Sequence, residues 1–369
     1  MKKLQLFFKI SLCMFSIQHA SAKIWRVNYM SNYDAATSKW GDNVGGTALH
    51  PVFAQLDDAN TSTLVSNGVG VIDTLYVEGT ENTYAAVTFT KPVIVIGTGY
   101  FLNENPNVSS GTMESQVSSL AFGNNSDNSQ IIGLHVISSN GINLNGKSNI
   151  IIKRCRIEYY ISLGSGNDHI SIEQNYFSNL NSANGSAISV SSIGFPTHFI
   201  FNNNICKRQL LLYSGTTIYD ADQCNNNVFD CPALFGGLAS IKFHSGECRN
   251  NIIRSTGIIV DVNATNTNFT NNTSAIGSDK LGNDASNVIT DVSSLFVASG
   301  STDGAYQLVP SAQTIGFDGY QVGAFGGPAI TNQYTLSGLG AIPVIYSIQT
   351  SGVSDNTGLP VKIKARIIN

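Results

Sequence analysis

The sequence predicts an all-β solenoid, a parallel β-helix, on three observations. First, six segments align between Ile150 and Ser274: they begin at Ile152, Ile172, Phe201, Cys224, Cys248 and Phe269. All six starting residues are apolar. Second, three residues after that column stands a column of Asn: Asn175, Asn204, Asn227, Asn251 and Asn272, with Cys155 in the remaining row. Third, the rows recur roughly every 23 residues, a solenoid period, and the runs between them are short, β-rich and without helical periodicity. A strand, a sharp bend at Asn and a second strand make one coil. Asn suits such a bend because it tolerates left-handed backbone and bonds to its own main chain. Coils stacked about 4.8 Å apart would let the amides bond along the column as a ladder.

The elements follow in chain order. Residues 1–22 have the form of a signal peptide: Lys2 and Lys3, a mostly apolar run from Leu4 to Ile17, then Ala20-Ser21-Ala22 as a small-residue cleavage site. Export to the cell surface or medium is the expectation. No later stretch is apolar enough for a transmembrane helix. Removing Lys2, Lys3 and Lys9 from the 20 basic side chains leaves 17 against 24 acidic ones. That acidic balance offers no footprint for nucleic acid. Of six Cys, Cys13 falls in the leader, leaving an odd five. Cys224 and Cys248 share the apolar column, so thiols stacked in the interior are preferred to a disulfide.

Residues 23–70 are expected to form an N-terminal cap, with one helix from Pro51 to Leu64 covering the open end of the stack. Coils then run over 71–327. Phe101 to Ser129 is polar and is expected to be a loop leaving the coils. Residues 328–369 form a C-terminal β tail or cap. In it Val361 to Ile367 alternates with period two and puts Lys362, Lys364 and Arg366 on one face, as suits a charge-protected edge strand.

The repeat resembles that of the right-handed parallel β-helix superfamily typified by pectate lyases and polygalacturonases. Asp73 to Gly79 followed by Val93 to Gly97 is similar to the opening coils of secreted bacterial members. Tyr306 to Gly327 is similar to their closing segment, with Ser311-Ala312-Gln313-Thr314-Ile315 where Ser-Pro-Ala-Ile is usual. The resemblance implies a right-handed coil and the pectin-lyase-like fold. It does not fix a function, since this fold carries lyases, hydrolases and passive binding proteins.

Gly166 to Ile172 resembles the polygalacturonase acid stretch, with Asn167 in place of the first Asp and His169 in place of Cys. Asp168 alone cannot hydrolyse a glycoside, which takes two carboxyls at a set separation. Lyase chemistry takes a base and a cation to neutralise the substrate carboxylate. Lys153 as base and Glu173 as a Ca²⁺ ligand are the candidates, with Asp168 and His169 nearby on the same coils. They would form one cleft roofed by the Phe101 to Ser129 loop, with Lys153, Arg154, Glu173 and His169 within reach of one sugar unit. The plainer account is a surface ion pair worth about 0–1 kcal/mol. Ca²⁺ wants six or more oxygens, so no cofactor is expected unless the chain is a lyase. No His or Cys spacing suggests a metal site. Tyr159, Tyr160, Tyr176 and Tyr213 are candidate platforms for sugar rings. The function expected is a secreted or cell-surface, non-catalytic protein binding a glycan or a surface; a polysaccharide lyase or glycoside hydrolase of the pectate-lyase-like kind is the alternative.

Overall fold

The computed structural model describes residues 21–108, 111–178, 185–190, 195–231, 241–254, 260–262, 267–270, 273–274, 286–316, 319–340, 343–350 and 361–367. Residues 1–20 of the expected 1–22 leader, and Asn272, lie outside them.

The chain is mostly β, with several all-parallel sheets and few helices. It visits three sheets in rotation. Ser148–Lys153 lies in the first, Arg156–Ile157 in the second and Ile161–Leu163 in the third. Asp168–Glu173 then returns to the first sheet and pairs in parallel with Ser148–Lys153, Ile152 beside Ile172. Tyr176–Phe177, Ile188–Val190 and Phe199–Asn202 make the next revolution. Among the described residues the first sheet has eight strands, the second nine and the third five.

Strand alternation sets the interior. In Ser148–Lys153 and Asp168–Glu173 the side chains at Ile150, Ile152, Ile170 and Ile172 are buried while their neighbours are not, as a two-residue period requires. Register then places like on like: Ile142 beside Ile161 beside Ile188, and Phe201 against Phe229 at 6.4 Å. Cys224 and Cys248 are buried in the same interior. Cys155, Cys206 and Cys224 are free thiols. Burial pushes the Cys155 thiol up to about 12 and raises those of Cys206 and Cys248.

The bends depart from expectation by one residue. The left-handed conformation belongs to the residue before each ladder position: Arg154, Gln174, Asn203, Asn226 and Asn250, with φ between 55° and 57°. Gly133 takes the same place one revolution earlier (φ 68°). The ladder Asn itself turns inward, where Asn175, Asn204, Asn227 and Asn251 are fully buried. Each main-chain N–H of Asn175, Asn204 and Asn227 donates to Oδ1 of the next Asn at 2.9 Å. Each Nδ2 donates backwards to a carbonyl of the preceding revolution, Asn204 to Ile172 and Asn227 to Phe201, both at 2.9 Å. Cys155 closes the column: its N–H donates to Asn175 Oδ1 at 2.9 Å.

The N-terminal region holds as much strand as helix. Ile24–Val27 pairs with both Thr74–Val77 and the edge strand Val52–Phe53. The helix is confined to Leu56–Thr61, since residues 52–53 are taken by that strand. It buries Leu56 and Ala59, and Asn60 pins it by donating to Thr88 O and accepting from Thr90 N. The Phe101 to Ser129 stretch is also partly coil: Gln116–Val117 and Leu120–Phe122 are strands of the second and third sheets.

After Val288–Ile289 the chain turns back along the outside of the second sheet. Val292, Phe296, Tyr306, Leu308, Val322 and Tyr334 form an apolar layer with Tyr100, Phe101, Tyr176, Ile205, Val228 and Ile252. The left-handed bend residues hold this return segment. Asn203 Nδ2 donates to Ala324 O and Gly326 O, Gln174 Nε2 to Thr331 O, and Arg154 Nη1 to Leu339 O. Asp303, buried, accepts from Ser337 N, Ser301 Oγ and the Tyr334 hydroxyl, and that hydroxyl lies 2.5 Å from the Tyr100 hydroxyl. Pro343–Thr350 and Val361–Ile367 pair antiparallel with each other.

Candidate functional site

Lys153 and Glu173 are cross-strand neighbours on the outward face of the first sheet. Lys153 Nζ lies 3.7 Å from Glu173 Oε2 and 3.4 Å from Thr331 O. Burial lowers the Lys153 ammonium below its ordinary range, and Glu173 offsets part of that. Glu173 also accepts from Ser171 Oγ at 2.8 Å. The neighbour over Lys153 is the return segment at Thr331. Phe101 lies elsewhere, on the second sheet against Tyr176, with the Arg156 guanidinium 4.5 Å from its ring.

Asp168 and His169 sit at the other end of the strand that holds Glu173. Five residues of extended chain span about 16 Å. That separates Asp168 from Glu173 by more than the roughly 5–9.5 Å that glycoside hydrolysis allows between its carboxyls. The single cleft expected for Lys153, Arg154, Glu173 and His169 is therefore two separate places. Arg154 belongs to neither, being buried between Gln174 and Leu339 O.

The Asp168 end has a partner that sequence spacing did not reveal. Ile170 pairs with Phe199, so His198 falls beside His169 on the next revolution. The two rings stack at 4.1 Å. His169 Nδ1 lies 2.7 Å from Asp168 Oδ2, and His198 Nδ1 lies 2.9 Å from Asp168 Oδ1. Thr197 Oγ1 also donates to Oδ1. Hydrogen bonds from Thr197 and then His198 hold the Asp168 carboxyl well below the usual range, and the bond to Asp168 raises His198. The residues are 29 apart in sequence, which is why His-to-His spacing within one segment gave no signal.

A second constellation is buried. His135 Nδ1 faces Glu114 Oε2 at 2.6 Å and Nε2 faces Glu158 Oε1 at 2.7 Å. Arg156 Nη2 reaches the same Glu158 oxygen at 2.7 Å, and Ser178 donates to the other. Burial would raise both carboxyls, but the bonds from His135 and further donors outweigh it and both end lowered. With His135 only 5% exposed, this cluster joins three revolutions and is closed to substrate.

The third candidate is an open groove of about 250 Å³ on the outside of the third sheet. Tyr160 and Tyr213 line it, with Ser186, Ser189, Ser214, Val190 and Leu211 between them. The antiparallel pair Tyr213–Ser214 and Thr217–Ile218 extends its wall. Lys242 Nζ stands 5.4 Å from the Tyr213 ring centroid. Tyr176, by contrast, is buried under the return segment and offers no platform. Tyr159 is half-buried, 5.8 Å from the Arg208 guanidinium.

Among the described residues no helix is long and apolar enough to cross a membrane. Compared with family models, with curated proteins and with solved structures, the chain shows no match.

Proposed function

We propose that this chain is a secreted or cell-surface right-handed parallel β-helix protein of the pectate-lyase-like kind, with residues 23–70 as its N-terminal cap, and that it binds a glycan without cleaving it. The rotation of the chain through three parallel sheets supports the fold, and the leader-like residues 1–22 support export. The observation that carries the binding role is the groove between Tyr160 and Tyr213. Sugar rings present apolar C–H faces and hydroxyl rims. Two half-buried tyrosines separated by serine hydroxyls and apolar side chains match that pattern, and aromatic walls with a few polar groups are the usual make-up of such sites. The test is a screen of soluble polysaccharides by calorimetry, repeated with Tyr160→Ala and Tyr213→Ala. Each variant should weaken binding of any hit at least tenfold. A hit that binds both variants as tightly as the parent would overturn the assignment.

One observation favours a second reading, a polysaccharide lyase. Lys153 has its ammonium lowered by burial, which brings a lysine nearer to use as a general base. In that case Glu173 would help hold Ca²⁺ and the substrate would be a uronic-acid polymer. Incubation with such polymers, followed by the absorbance of the unsaturated product, separates the two readings.

A further inference from the structure

We propose that Asp168, His169 and His198 form a binding site for a borderline divalent transition ion, zinc being the representative case. The site is independent of the glycan groove. Two imidazoles and one carboxylate are a donor set suited to such an ion and poorly suited to Ca²⁺, which prefers oxygen alone and more of it. One ligand atom from each of the three residues lies within 4.8 Å of the others. Both Nδ1 atoms already converge on the two oxygens of the same carboxylate.

The backbone fixes this convergence. His169 and His198 stand on successive revolutions, held beside each other by the pairing of Ile170 with Phe199. Their separation is therefore set by the strand spacing of about 4.8 Å and not by flexible loops. His169 also has left-handed backbone (φ 51°), as does Asn149 (φ 56°), which precedes Ile150 as His169 precedes Ile170. Zinc bonds of about 2.0–2.2 Å place tetrahedral ligand atoms about 3.3 Å apart. The present contacts of 2.7 and 2.9 Å need only a small opening, by rotation of exposed side chains. The imidazoles are 56% and 53% exposed, so an ion can enter without unfolding and water can complete its shell. Among the described residues, His244 Nδ1 and Asp220 Oδ1, 2.7 Å apart, bring together one imidazole and one carboxylate, and this pair serves as an internal control.

The experiment is zinc titration of the full chain, stripped beforehand with chelator, followed by calorimetry and by the shift in melting temperature. The parent should bind one ion per chain and melt higher with zinc. His169→Asn keeps a residue that tolerates the left-handed bend, and His198→Asn is its partner. Each should lose tenfold or more in affinity, while His244→Asn binds as the parent does, with circular dichroism showing all three folded. Excess Ca²⁺ should leave zinc binding unchanged. The proposal is overturned if the parent takes up no zinc at sub-millimolar concentration. It is equally overturned if the His169→Asn, His198→Asn double variant binds as the parent does, or if Ca²⁺ displaces the ion.

Discussion

The side-chain oxygen of Asn204 accepts two hydrogen bonds from Asn175, one from its backbone N–H at 2.9 Å and one from its Nδ2 at 3.1 Å. The same arrangement repeats between Asn204 and Asn227. The amides of Asn175, Asn204 and Asn227 thus each serve the revolutions on both sides.

Asn204→Ala should therefore destabilise the protein by about 1–3 kcal/mol for each buried group it leaves unsatisfied. The Asn175 N–H is one such group. Urea denaturation gives the number, and a loss near zero would remove the ladder from the account of stability.

Replacing Lys153 by Met should change stability by no more than about 1 kcal/mol, because its pairing with Glu173 is long and partly solvated. If a uronic-acid polymer proves to be cleaved, the same variant should lose roughly 10²-fold or more in turnover. Near-full activity in it would move the base elsewhere.

The His135 cluster predicts a pH dependence. Glu114 and Glu158 have folded pKa values below their unfolded ones. Their contribution is present above the unfolded value of about 4.3 and is lost as pH falls through the folded values. His135→Leu removes the ring both carboxylates share and should cost about 3–5 kcal/mol at neutral pH. Glu158 keeps Arg156 and Ser178 and Glu114 keeps the Phe101 N–H, and part of that cost should return as the pH is lowered and the two carboxyls, each short of one donor, protonate. Melting curves between neutral and acid pH for both proteins test this, and parallel profiles would count against it.

Thiol chemistry offers a fourth check. With Cys155, Cys206 and Cys248 buried and their thiols raised, an aromatic disulfide reagent should react slowly with the native chain and quickly after denaturation. Rapid labelling of native protein would show that the interior is open.

The coil was legible because its determinants repeat. An apolar residue at Ile172 or Phe201 and an Asn three positions on are local features, and stacking copies them. The register of the bend was less legible: Gln174 and Arg154 hold the left-handed place without being Asn or Gly, so residue type did not mark it. The return segment was also obscure, since Tyr334 meets Tyr100 across 234 positions and no local pattern announces such a contact. His169 and His198 were hidden for the same reason. Their closeness comes from the pairing of revolutions, and a coil length that varies between rows conceals it.

The return segment also has a kinetic consequence. Tyr334 meets Tyr100 only after 234 further positions have been made, and Ser337 three residues later still. Contacts of such separation close late, after the loop between them has been ordered. A chain cut short before Val292 would leave Ile205, Val228 and Ile252 facing water as one apolar strip, the kind of surface that drives aggregation. Arrival of the segment from Val292 to Tyr334 therefore acts as a check: only a chain extended through it can hide its own sticky side.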